Sequence, residues 1–142
     1  TLNGAQQGGV NTVSIASVTQ SFKRVVTCPT GVDTTVAVFQ AGTNTQDGAL
    51  DLQDVKYLRV TNLDSTNSVN LSLQISTAEN GTADSSCTVL LEAGKTFIMG
   101  AVHDGIAVDD DAATIVTTLT DLESIIVDPG SNNVTVEGFI AS

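Results

Sequence analysis

Apolar and polar residues alternate along most of the chain. In residues 68–75, SVNLSLQI, valine, leucine and isoleucine occupy the odd positions, whereas serine, asparagine and glutamine occupy the even ones. A period of two places the two sets on opposite faces of an extended strand, as in an antiparallel sheet with one face in the core. Similar runs occur at 12–18, 22–28, 34–39, 55–61, 87–92, 96–102, 123–128 and 134–140. Each run is predicted to be a short β-strand.

The segments between these runs have the composition of turns. Residues 29–33, 62–68, 78–86 and 128–133 concentrate Asn, Asp, Ser, Gly and Pro, which adopt positive φ or hydrogen-bond their own backbone. Because no helical segment recurs between the runs, the pattern predicts an all-β fold, either a sandwich or a barrel. Residues 109–119 are compatible with a short helix that begins at an Asp cap, or with a loop that leads into a strand.

The chain is expected to hold one domain preceded by an arm. Residues 1–12 contain three glycines and no burial pattern, so they are predicted to be a flexible arm, either disordered or ordered by a neighbouring subunit. Residues 13–142 are predicted to be a single β-sandwich domain, since a chain of 142 residues needs only one core. With 41% hydrophobic and only 4% aromatic residues, that core is made mostly of Val, Ile, Leu and Ala.

Charge excludes some classes of partner. The chain has 16 acidic and 5 basic residues and a formal net charge of −11. Nucleic-acid binding requires clustered cations, and the one adjacent pair is Lys23 with Arg24. No apolar run approaches the roughly 18 residues of a membrane-spanning helix. Neither a nucleic acid nor a membrane is therefore expected as a partner.

The two cysteines do not form a metal motif. Cys28 and Cys87 lack a C-x-x-C spacing or histidines nearby. Two reduced, partly buried thiols are favoured over a disulfide between them, which remains the alternative.

The single histidine invites a catalytic interpretation. His103 precedes Asp104, but neighbours along a strand point to opposite faces, whereas a catalytic carboxylate must orient the imidazole ring through space. No Gly-x-Ser-x-Gly motif accompanies the pair. We therefore expect no catalytic residues, no cofactor and no enzyme activity.

The carboxylates give one weak metal candidate. Asp109, Asp110 and Asp111 form the densest charge in the chain, and Ca²⁺ prefers several oxygen ligands. The EF-hand spacing is absent, so a solvated acidic loop is favoured over a calcium site. Two further acidic pairs are interpreted as ordinary residues at strand borders: Asp51 with Asp54, and Asp121 with Glu123.

A carbohydrate-binding module is the alternative from another functional class. Sugar sites often include an aromatic platform, but the chain has no Trp, one Tyr and four Phe. Most of the phenylalanines lie at positions that the alternation predicts to face the core. The platform is therefore expected to be poorly supplied.

The second half of the chain resembles a known group of proteins. The succession KYLRVTNLDSTNSVNLSLQI, LLEAGKTFIMG and DLESIIVDPGSNNVTVEGFIAS, within about residues 55–142, is similar to small virion structural proteins of tailed bacteriophages, especially marine phages and cyanophages. The resemblance implies an antiparallel β-sandwich, often of jelly-roll type, with no catalytic activity. It implies a capsid decoration or cement protein that contacts the major capsid protein, in a virion assembled in the bacterial host cytoplasm.

The resemblance leaves the position on the virion open. A decoration protein on the outer head surface is favoured, because a negative surface is repelled by the packaged DNA. A homo-oligomer is expected, with a trimer first, since capsid symmetry makes threefold clusters natural. The alternatives are a head–tail or tail-surface component, and a carbohydrate-binding module for host attachment.

Overall fold

The computed structural model describes residues 8–10, 12–40, 50–51, 55–76, 85–101, 105–108, 115 and 119–142. These residues form ten β-strands and no helix. The strands are β1 Ser21–Cys28, β2 Thr34–Gln40, β3 Leu50–Asp51, β4 Tyr57–Asn62, β5 Val69–Ser76, β6 Ser85–Leu91, β7 Thr96–Gly100, β8 Ala107–Val108, β9 Thr120–Asp128 and β10 Val134–Ala141.

The strands form two sheets. Sheet 1 has four strands in the order β1-β10-β4-β7, and sheet 2 has six, in the order β3-β2-β9-β5-β6 with β8 beside β9. All strand pairs are antiparallel except β2 with the two-residue β3. Without the short β3 and β8, the remaining strands occupy the two layers in the order that defines a jelly roll. The predicted all-β sandwich of jelly-roll type is thus confirmed.

A single aliphatic core separates the sheets. Val69, Leu71, Leu73 and Ile75 are all buried, as the alternation in residues 68–75 predicts. Strand β10 shows the same pattern, with buried and half-buried positions in turn. Burial of one such side chain stabilises the fold by about 1.5–3 kcal/mol. The largest fully buried side chains are Phe39, Leu58, Leu71, Leu122, Ile125 and Ile140.

The strand predicted at residues 12–18 is wrong. Residues 12–20 form no strand, and the first strand begins at Ser21. Ser17 has a positive φ of 57°, which interrupts an extended conformation. The carbonyls of Ala16 and Ser17 accept hydrogen bonds from Nζ of Lys56, each at 3.2 Å. The ammonium group of Lys56 thus donates to these carbonyls in place of the backbone amides of a neighbouring strand.

The arm proper is only partly described. Gly8, Gly9, Val10 and Thr12 are exposed and outside any strand, whereas residues 1–7 and 11 lie outside the described part. The flexibility of the arm therefore stays a prediction. After the arm, the amides of Thr19 and Gln20 donate to the carbonyl of Ser142 at 2.8 Å, which ties the start of β1 to the end of β10.

The cysteines are free thiols on different sheets. Cys28 is buried in β1, and this burial raises its pKa, an effect that a hydrogen bond with Thr34 partly offsets. Cys87 is exposed on β6. The two thiols are thus reduced, as favoured, but the prediction that both are partly buried is wrong, because Cys28 is buried and Cys87 is exposed.

Candidate interaction surface

The outer face of sheet 1 carries an unusual set of side chains. Along β4, Leu58 and Val60 are buried, so the residues on either side of them point outward. Strand β10 lies beside β4 with Phe139 opposite Arg59, and its outward positions include Glu137. We call the following outward side chains the basic–aromatic face: Lys23, Val25, Tyr57, Arg59, Ile98, Glu137 and Phe139.

An aromatic pair and a guanidinium form the centre of this face. The rings of Tyr57 and Phe139 meet edge to face, with centroids 6.0 Å apart and planes at 66°. The guanidinium carbon of Arg59 lies 5.5 Å from the centroid of Phe139. Edge-to-face pairs contribute about 0.5–1.5 kcal/mol beyond burial, and exposed cation–π contacts about 0.5–1 kcal/mol. The three side chains therefore hold one another in position.

Glu137 joins two cations across three strands. Its Oε1 accepts a hydrogen bond from Nη2 of Arg59 at 2.9 Å, and its Oε2 lies 3.2 Å from Nζ of Lys23. The ammonium of Lys23 first, and then the guanidinium of Arg59, hold the pKa of Glu137 below its ordinary value, against a smaller opposing effect of desolvation. Glu137 stays ionised and fixes both cations on the face.

The face contains a hollow and an unsatisfied donor. A hollow of about 350 Å³ is lined by Ile15, Tyr57, Arg59, Phe139 and Ala141. Nε of Arg59 is buried and has no hydrogen-bond partner. Buried N–H groups are almost always paired, so this unpaired donor is a local energetic cost of holding the guanidinium between Glu137 and the ring of Phe139.

Exposed aliphatic side chains flank the hollow. Val25 on the edge strand β1 is 56% exposed, and Ile98 on the opposite edge strand β7 is 58% exposed. Single exposed aliphatics are common, but here they lie on one face with an aromatic pair. The face therefore has the composition of a protein interface, in which Tyr, Phe and Arg are enriched.

The basic residues belong to or adjoin the strands of one sheet. Lys23 and Arg24 lie in β1 and Arg59 in β4, while Lys56 and Lys95 directly precede β4 and β7. These are all 5 basic residues of the chain, and each belongs to or adjoins a strand of sheet 1. No strand of sheet 2 contains a Lys or Arg. Only Lys23 and Arg59 of this set lie on the basic–aromatic face, because Lys95 lies in the turn before β7 and Arg24 pairs with the core-facing Gly138.

Four turns meet at one end of the sandwich. They connect β1 to β2, β4 to β5, β6 to β7 and β9 to β10. The amide of Gly31 donates to the carbonyl of Gly130 at 2.7 Å, and Asn62 N donates to Lys95 O at 3.0 Å. We call the charged residues of this end the acidic turn end: Asp33, Asp64, Glu92 and Asp128, together with Lys95.

The turn after β4 is built by two side chains. The buried Asn62 accepts a hydrogen bond from Asp64 N at 2.9 Å through Oδ1. Oδ1 of Asp64 then accepts from the amides of Thr66 and Asn67, each at 2.7 Å. The amide of Asn67 first, and then that of Thr66, lower the pKa of Asp64. The Asn-Leu-Asp motif at 62–64 thus has a structural role.

Stability should fall in acid partly through Asp64. Because the folded-state pKa of Asp64 is lowered, its contribution is fully present above the unfolded-state pKa and is lost as the pH falls through the folded-state pKa. We expect Asp64→Asn to have a shallower loss of stability than the wild type between about pH 5 and pH 2. Urea unfolding across this range measures the difference. Asp33→Asn, at an exposed carboxylate of the same end, is the control, and parallel curves for Asp64→Asn and wild type would disprove the role.

The structure tests few of the predicted site residues. His103, Asp104, Asp54 and the weak calcium candidates Asp109, Asp110 and Asp111 lie outside the described residues, as do the side chains of Asp51 and Asp121. Within the described part, no group of three His, Cys, Asp or Glu side chains could hold a metal ion. In the same part, no helix is long and apolar enough to cross a membrane.

Two interpretations of individual residues change. Glu123 is buried in β9 at the register shift between β9 and β5, so it is not an ordinary border acid. Phe22, Phe39 and Phe97 pack in or against the core as expected, but Phe139 faces outward beside the single tyrosine. The surface therefore carries two neighbouring aromatic side chains, more than the alternation alone indicated.

Comparisons with known proteins add little to this picture. No family model and no curated protein matches the chain. A chain of the Bacillus endospore appendages, which "form a novel family of disulfide-linked pili", aligns over 94% of this chain and 95% of its own, with a TM-score of 0.41 and 10% sequence identity. A likeness this weak does not assign a function.

Proposed function

We propose that this protein is a non-enzymatic structural protein that works by docking other proteins on its basic–aromatic face. The observation that carries this proposal is that Tyr57, Phe139 and Arg59 surround a hollow on the outer face of sheet 1. Lys23 lies on the same face, in a protein that is otherwise acidic. Tyr and Arg dominate the energetically important centres of protein interfaces. The exposure of Val25 and Ile98 on the same face supports the same role, because an interface partner would cover them.

Within this class we propose a virion protein, a decoration or cement protein on the outer surface of a tailed-phage head. It would stabilise contacts between major capsid protein subunits and act as a homo-oligomer. The resemblance of residues 55–142 supports this proposal, and jelly rolls are frequent among capsid proteins. The net charge of −11 favours the outer surface over the interior filled with DNA. A head–tail or tail-surface position is the alternative within the virion.

A carbohydrate-binding attachment module is the second candidate. It is favoured by the outward position of Tyr57 and Phe139, and lectin domains also use jelly rolls. The guanidinium of Arg59 already lies over the ring of Phe139, so Tyr57 would be the stacking platform. We rank this candidate second, because a likeness of fold to lectins does not assign a sugar site.

Empty expanded capsids from the phage that encodes this chain provide the test. We expect the purified protein to bind them and to raise their melting temperature, as a ligand of the native state does. Arg59→Gln should weaken binding at least about tenfold, since loss of an interface anchor costs 2 kcal/mol or more. Arg24→Gln, the same change at an exposed arginine of β1 that lies outside the basic–aromatic face, should bind like the wild type.

Other outcomes would redirect the proposal. Unchanged affinity of Arg59→Gln would remove the basic–aromatic face from the account. A glycan-array signal that requires Tyr57, without any capsid binding, would replace the structural role by the attachment module.

A further inference from the structure

We propose that the basic–aromatic face of one copy binds the acidic turn end of a second copy. The proposal rests on the structural role above and makes a second copy the partner of this face. The oligomer then contacts the capsid through its other surfaces, and Arg59→Gln weakens capsid binding because it disperses the oligomer. The contact joins two different surfaces of identical chains. Each copy binds one neighbour through its basic–aromatic face and another through its acidic turn end.

The charges of the two surfaces are complementary. The face presents Lys23 and Arg59 with Glu137 between them. The turn end presents the four carboxylates named above against one lysine, Lys95. A face-to-face contact would instead bring equal sets of cations together. The net charge of −11 does not prevent docking, because interactions beyond about 8 Å are screened at physiological salt.

The exposed cations of the face match the oxygens of the turn end. The side chains of Lys23 and Arg59 are 61% and 36% exposed although both contact Glu137, and the turn end is rich in carboxylate and carbonyl oxygens. Arginine and carboxylate form strong, directional hydrogen bonds. The exposed aliphatics Val25 and Ile98 would be covered in the same contact, which adds apolar burial around the polar centre.

The turn end is rigid before it binds. The amide and hydroxyl of Thr30 donate to Oδ1 of Asn133 at 2.8 and 3.0 Å, which fixes the β1–β2 turn against the β9–β10 turn. Oδ1 of Asp128 accepts from Gly130 N at 2.8 Å. A surface whose loops are already ordered loses little conformational entropy on association. Asp33 and Glu92 remain exposed beside these turns.

The contact has a consequence for symmetry. The turn end lies at the tip of the strands, whereas the face lies on the flank of sheet 1, so successive copies are related by a large rotation. A heterologous contact of this kind closes into a ring when the rotations complete a circle. The homo-oligomer proposed above, including a trimer, can be built in this way.

A charge-exchange experiment on the purified full chain tests the contact. Variant X carries Lys23→Glu and Arg59→Glu on the face, and variant Y carries Asp33→Lys and Glu92→Lys on the turn end. In both, like charges meet across the contact, so we expect self-association of each to weaken at least about 100-fold. Mixing X with Y should restore association, because the face of X then meets the end of Y. Sedimentation velocity and native mass spectrometry measure the species.

Three results would overturn the inference. The first is a wild type that remains monomeric at about millimolar concentration. The second is self-association of variant Y equal to that of the wild type. The third is a mixture of X and Y that associates no better than either variant alone. Unfolding curves of X control for folding. If X is unfolded, the double variant Lys23→Gln and Arg59→Gln replaces it and is mixed with Y and with the wild type. Undiminished self-association of this double variant would equally overturn the contact. These self-association measurements contain no capsid, so they test the contact separately from the proposed function. A protein that stays monomeric here but binds capsids in the earlier test would disprove this contact and leave the proposed function standing.

Discussion

Asn62→Leu is expected to lower the free energy of unfolding by about 3–5 kcal/mol. Asn62 is fully buried in β4. Its Nδ2 donates to Leu91 O at 3.2 Å and to Asn67 O at 2.9 Å, and its Oδ1 accepts from Asp64 N. Leucine has a similar size but leaves all these groups without their partner, and each buried unpaired group costs about 1–3 kcal/mol. Urea denaturation followed by circular dichroism measures the loss.

The neighbouring residue provides the control for this prediction. Thr61 points outward from the same strand, and its hydroxyl lies 3.1 Å from that of Thr96 in an exposed pair. Thr61→Val should change the stability by less than about 1 kcal/mol. If Asn62→Leu were as stable as Thr61→Val, the buried amide would not be what joins the β4–β5 turn to β6.

Gly138→Ala is expected to destabilise the protein by about 1–3 kcal/mol. Gly138 lies in β10 and faces the core, where a Cβ atom would come within 2.7 Å of Cγ1 of Val36 on β2. Val36 is fully buried, so it has little room to move. Close packing of the two sheets therefore requires a residue without a side chain at this position. Thermal and urea unfolding both report the change.

A second substitution tests the cause. Val36→Ala alone should cost about 2 kcal/mol through lost burial and a cavity. In the double variant the added methyl group partly fills that cavity. The double variant should therefore lose about 1 kcal/mol less stability than the sum of the losses of the two single variants. Gly9→Ala, where a Cβ meets open space, should change little. Strict additivity would show that the contact between Gly138 and Val36 is not the source of the effect.

The local pattern was enough to predict most of the fold. Where apolar and polar residues alternate for five residues or more, as in residues 68–75, the side-chain period determines both the strand and its buried face. The pattern failed at residues 12–18, because the carbonyls there bind Lys56 instead of another strand. Strands β3 and β8 have only two residues each, too few for any periodicity.

The interaction surface could not be predicted in the same way. Arg59 and Glu137 are 78 positions apart, and they meet because β10 lies between β1 and β4 in sheet 1. Local alternation predicts which face of the sheet a side chain lies on, but it does not predict which strand lies beside it. One signal was present nevertheless: the outward positions of β4 and β10 carry Tyr, Arg, Glu and Phe besides two Thr, whereas those of β5 carry only Asn, Ser and Gln.

The accessibility of Tyr57 in the proposed oligomer tests the central claim most directly. Tyr57 is the single tyrosine of the chain and lies on the basic–aromatic face, and Cys87 is an exposed thiol on sheet 2. Hydroxyl-radical footprinting of Tyr57 and alkylation of Cys87, each read by mass spectrometry, are compared between free and assembled protein. The account predicts that Tyr57 becomes protected while Cys87 stays reactive. A protected Cys87 with an unchanged Tyr57 would contradict it.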